Sequence, residues 1–181
     1  DRSIVILDFT PEHRIVLYFA VIIPVIIFQL LKNKPVEVNR CILTYMSLAF
    51  LWVYIGRWEL PAFADPRNLP LHLCNTAMFL YPICLVFNTK RLFNFCLFIN
   101  VIGALLAMLM PNTSEGISAI STEMINFWVN HYVAFFMPLL MVALKIFKRP
   151  KFKQWVYAII VLVVYYLSML FTNAYLTEKT G

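Results

Sequence analysis

Apolar residues fill six long blocks of this sequence, over about 13–32, 39–56, 67–88, 91–110, 122–147 and 153–176, each bounded by charges or prolines. About 20 helical residues cross a hydrocarbon core of about 30 Å, so each block predicts a membrane helix. The second block is short and is expected to begin or end in the interface. No repeat, low-complexity tract or stretch with room for a soluble domain interrupts the pattern. The expected fold class is therefore all-α: a polytopic transmembrane helical bundle of six membrane helices, in one domain over residues 1–181.

Composition supports a lipid solvent. The chain is 62% hydrophobic and only 13% charged, whereas soluble domains average roughly 45–50% apolar and about 25% charged residues. The formal net charge of +6 has to be located before it implies a partner. Loops after the first, third and fifth blocks hold Lys32, Lys34, Arg40, Lys90, Arg91, Lys145, Lys148, Arg149, Lys151 and Lys153, which is 10 of the 15 basic residues. Basic loops stay in the cytoplasm, so both ends of the chain are expected to be extracytoplasmic. The basic surplus then reads as a topology signal facing anionic lipid, and no nucleic-acid partner is expected. The opening DRSIVILDF lacks the basic region, long apolar core and small-residue cleavage site of a signal peptide.

This topology also measures depth. The third block enters from outside near Arg67, which puts Cys74 seven residues in, or roughly 10 Å at 1.5 Å per residue. The fifth block enters near Thr122, and His131 lies nine residues in, roughly 13 Å deep. Asn173 lies near the outer end of the sixth. A thiol becomes a strong nucleophile once a base removes its proton, and an imidazole at the same depth can be that base. Cys74 and His131 are the candidate couple. Asn75 and Asn130, each beside one of them, are candidate oxyanion or orienting groups, together with His72. His72 is two residues from Cys74 and projects about 200° around the helix, toward a different neighbour.

Blander roles compete with each assignment. A cysteine in an apolar helix usually acts as a small hydrophobe, and Cys41, Cys84 and Cys96 are read as packing residues. A membrane histidine can simply hydrogen-bond a neighbouring helix. Asn88, Asn94 and Asn100 are assigned to helix–helix hydrogen bonding, and Trp128, Tyr165 and Tyr166 to core or interface aromatics. No CxxC or metal-ligand spacing occurs, so neither a metal nor a cofactor is expected.

Three stretches carry a resemblance. LPLHLCNTAMFL, LLAMLMPNTSE and FWVNHYVAFFMPLLMV occur in that order and resemble the transmembrane protein 164 family with its bacterial YwaF-like members. The resemblance is good from about Trp58 to Lys148 and lies in hydropathy alone beyond. It implies a membrane acyltransferase that moves acyl chains between phospholipids through a Cys–His couple. Carried over by motif, that couple is Cys74 and His131, 57 residues apart. The bacterial members imply a multi-pass protein of the bacterial cell membrane. They also imply a further, seventh helix, beyond the Gly181 at which this sequence stops.

The expected function is thus lipid acyl transfer or deacylation near the extracytoplasmic leaflet. Membrane lipid serves as both solvent and substrate, and no protein partner is readable. The alternative is a non-enzymatic membrane component, either a small-molecule binding or transport subunit or an assembly partner. In that reading His72, His131 and Asn173 bind a solute and Cys74 is incidental.

Overall fold

The computed structural model describes residues 10–56, 73–111 and 121–180, and they are almost entirely helical. Helix α1 (Pro11–Leu31) starts where Thr10 accepts the His13 N–H through its hydroxyl at 3.4 Å and Pro11 fills the first turn. That is the position at which a missing N–H costs nothing. Helix α2 (Val36–Gly56) follows Pro35. The described part of the third block is α3 (Leu73–Phe87), shorter than a full span at 15 residues. It ends with Asn88 in the left-handed region (φ 52) and the Thr89 N–H on the Cys84 carbonyl at 3.2 Å, a pairing that caps otherwise open carbonyls.

The fourth block is one continuous helix from Lys90 to Leu109. It comprises α4 (Lys90–Phe95), a π-turn over Cys96–Asn100 and α5 (Val101–Leu109). Helix α6 (Thr122–Ala143) begins with the Ser121 hydroxyl accepting the Met124 N–H at 3.2 Å. Helix α7 (Phe152–Thr180) is the longest, and the Gln154 side chain accepts the Lys151 N–H at its start, at 2.7 Å. Among the described residues five helical stretches are long and apolar enough to span a membrane: α1, α2, Lys90–Leu109, α6 and α7.

Helix α6 is the hub. Half of its apolar window is buried, against 11% for α1 and 6% for α7. Helices α1, α2, α3 and α5 pack around it, while α7 packs mainly on α4 and the π-turn. Hydroxyls within the spans bond back to their own helices, as Thr44 does to the Arg40 carbonyl (2.8 Å) and Ser168 to the Val164 carbonyl (2.8 Å). Each bond removes a donor that lipid could not satisfy.

The fifth block is apolar to residue 147, but α6 stops at Ala143. Lys145 takes a left-handed conformation (φ 61) and the Ile146 N–H returns to the Met141 carbonyl at 2.9 Å. Ile146 and Phe147 then turn back into the core as non-helical residues. Phe147 stacks on Phe93 with centroids 4.5 Å apart and planes at 8°. Above its ring lies the Arg40 guanidinium, at 5.7 Å from the centroid. Apolarity there reports burial by folding back, not continued helix. Cys41 also departs from expectation, since it is exposed on the surface of α2. Cys84 and Cys96 are fully buried, as packing residues should be.

Candidate functional site

Two side-chain bonds set the register between α3 and α6. The Asn130 Nδ2 amide donates to Asn75 Oδ1 at 3.4 Å, and the Tyr81 hydroxyl donates to the Ala134 carbonyl at 2.7 Å. The contact advances in the same direction along both chains, so the two helices run parallel. Asn75 and Asn130, flanking the candidate couple, mark one level of that contact.

Cys74 precedes Asn75, and His131 follows Asn130. Two parallel right-handed helices turn in the same sense, at about 100° per residue. The residue before the contact on one helix and the residue after it on the other therefore project to the same side. Tyr81 identifies that side independently. It lies seven residues beyond Cys74, within about 20° of two full turns, and reaches α6 from the same face of α3. By helix geometry Cys74 and His131 therefore project to one flank of the α3–α6 contact; both are half-buried, and among the described residues no hydrogen bond joins them.

The proton on His131 can be assigned. Its Nδ1 lies 2.6 Å from the Phe127 carbonyl, and a carbonyl can only accept. Nδ1 therefore carries a hydrogen, and in the neutral ring Nε2 is the nitrogen with the lone pair. The ring is held at 4.2 Å from the Phe127 ring centroid. An imidazole fixed in this tautomer is ready to take a proton through Nε2.

Below this level the flank is closed by a buried polar group that hydropathy does not join to the site. The Tyr81 hydroxyl accepts from Asn100 Nδ2 at 3.4 Å, and Tyr81 and Asn100 are almost wholly buried. Asn100 closes the π-turn, a local widening of the helix often found at functional sites. The expected helix–helix role of Asn100 is realised here. The signal for Tyr81 lay in Pro138, which has no N–H to give the Ala134 carbonyl four residues back.

His13 was also missed. It is fully buried, its Nε2 donates to the Met108 carbonyl at 2.7 Å, and its ring lies 5.7 Å from that of Trp128. Met108 stands in the last turn of α5, where carbonyls lack intrahelical donors, so His13 caps α5 from α1. Asn173 is exposed on α7, whose main packing is on α4 and the π-turn, not on the α3–α6 contact. His72 lies outside the described residues. Among the described residues no group of three or more His, Cys, Asp or Glu side chains could hold a metal.

A family model described as the TMEM164 family matches residues 9–179. No curated protein and no solved structure matches the chain.

Proposed function

The chain belongs to the TMEM164 family of membrane proteins, and from that premise we propose that it transfers or removes acyl chains of glycerolipids through Cys74 and His131. His131 Nε2 takes the Cys74 proton, and the sulfur attacks a lipid ester carbonyl. The C–O bond of the ester breaks as the thioester forms, and the leaving lysolipid oxygen takes the proton back from His131. An acceptor hydroxyl, or water in the hydrolytic case, then gives its proton to His131 and attacks the thioester, releasing the cysteine.

The oxyanion of each tetrahedral step needs donors already in place. The Asn130 amide spends one hydrogen on Asn75. Among the described residues its other hydrogen and both hydrogens of the Asn75 amide have no acceptor. The expected depth of the couple, roughly 10–13 Å below the surface at 1.5 Å per residue, suits ester carbonyls lying just beneath headgroups.

The observation that supports this reading is the Asn130–Asn75 hydrogen bond, between the residues next to His131 and Cys74. Purified protein incubated with fluorescent-acyl phospholipid is expected to acquire a hydroxylamine-sensitive label. Cys74→Ala should lose it, and His131→Gln should form it far more slowly. Wild type without a thioester, or Cys74→Ala labelled equally, overturns the proposal in favour of a solute-binding component.

A further inference from the structure

A cleft of about 490 Å³ lies at the opposite, basic end of the molecule, between α4 and α7. Its walls are Arg91, Asn94 and Phe95 from α4 and Gln154, Tyr157, Ala158 and Val161 from α7. Each helix contributes one face, at helical spacings of three and four. Both helices start at the basic end and run inward, so position along the chain is depth. Arg91 and Gln154 stand at the mouth, and Asn94, Phe95, Tyr157 and Ala158 come a turn deeper. Val161 lies seven residues past Gln154, about 10 Å further in at 1.5 Å per residue.

The lining changes character with that depth, from a guanidinium and amides to aromatic and aliphatic carbon. A second cation stands at the mouth, where the Lys153 ammonium lies 5.9 Å from the centroid of the Tyr157 ring. Charge is one-sided here. The loops at this end hold ten Lys and Arg residues, with Glu37 their one acidic side chain. Arg91 itself is exposed.

We infer that this cleft binds an anionic glycerophospholipid of the cytoplasmic leaflet. Its phosphodiester meets Arg91 and Lys153, its ester region meets Asn94, Gln154 and Tyr157, and an acyl chain lies along Phe95, Ala158 and Val161. Arginine presents a planar fork of donors that matches phosphate oxygens, and the apolar floor gives the chain a surface that a free anion cannot use. Bound there, the lipid fills the seam between α7 and the bundle, the seam along which α7 makes its main packing.

The test titrates purified protein in detergent with phosphatidylglycerol, phosphatidylcholine or inorganic phosphate and reads bound lipid by native mass spectrometry. One phosphatidylglycerol per chain that depends on Arg91 is expected, with phosphatidylcholine at least about tenfold weaker in that Arg91-dependent binding. Arg91→Gln should weaken the anionic lipid by about tenfold, the loss of roughly one charge-assisted contact. Lys148→Gln, an exposed charge at the same end but outside the cleft, should leave it unchanged. Equal binding of the two lipids, equal weakening by both variants, or displacement by inorganic phosphate alone each overturns the inference.

Discussion

The Tyr81 hydroxyl donates at 2.7 Å to the Ala134 carbonyl, the acceptor that Pro138 leaves without its helical donor. Proline breaks the i to i−4 ladder, and an orphan carbonyl in a membrane interior costs several kcal/mol. A tyrosine from α3 supplies the missing donor and ties the two helices together. Tyr81→Phe should therefore destabilise the fold by about 1–3 kcal/mol, read as a lower unfolding midpoint in detergent. In a Pro138→Ala background, where residue 138 regains its N–H, the same substitution should cost clearly less. Equal costs in both backgrounds would show that the hydroxyl does not serve the proline.

The asparagine pair is expected to act as a unit. Asn75→Ala and Asn130→Ala should each slow thioester formation by about 10²-fold, the loss typical of an oxyanion donor. The double variant should lose much less than the product of the two. Thr76→Ala removes a hydroxyl that donates to the Leu73 carbonyl of its own helix at 2.8 Å, and should be near wild type. Labelling rates after rapid mixing with fluorescent-acyl phospholipid separate these cases.

His13 gives a prediction about stability alone. His13→Phe keeps a ring beside Trp128 but leaves the Met108 carbonyl at the end of α5 without its donor. A cost of about 1–3 kcal/mol follows, and His13→Gln, which can still donate, should recover part of it. Thermal unfolding of the three proteins is sufficient. Thioester formation by His13→Gln should stay close to wild type, since His13 caps a helix and takes no part in the proposed chemistry.

Lys145 ends α6 at φ 61, where a side chain is strained by about 1–2 kcal/mol. Lys145→Gly relieves the strain and gives back part of the gain as chain entropy. A net stabilisation of about 0.5–1 kcal/mol is expected. Asn88→Gly, at φ 52, should do less, because asparagine tolerates that region. A chemical unfolding series comparing both variants checks the order.

Much of this protein was legible in one dimension. Lipid is a poor solvent for backbone and charge, so an apolar block of about 20 residues has to be a helix. The positions of the spans and their basic ends followed from that. Helix ends were less legible. Ile146 and Phe147 are as apolar as the residues before them, and only the left-handed turn at Lys145 shows that they belong to a folded-back segment.

Hydropathy alone determined that this is a multi-pass helical protein, because crossing a membrane depends on distance along a helix, and spacing made similar depth for Cys74 and His131 an expectation. They could not determine which helices touch. Periodicity carries no information about a neighbour's rotation, and in this bundle the exposed and buried faces are both apolar. Only the tertiary structure decided that Asn75 meets Asn130, that Tyr81 serves the carbonyl freed by Pro138, that His13 caps α5, and that Asn173 stays exposed on α7. Those facts depend on the azimuth of one helix against another, which is fixed by packing and by polar groups that cannot go unpaired in lipid.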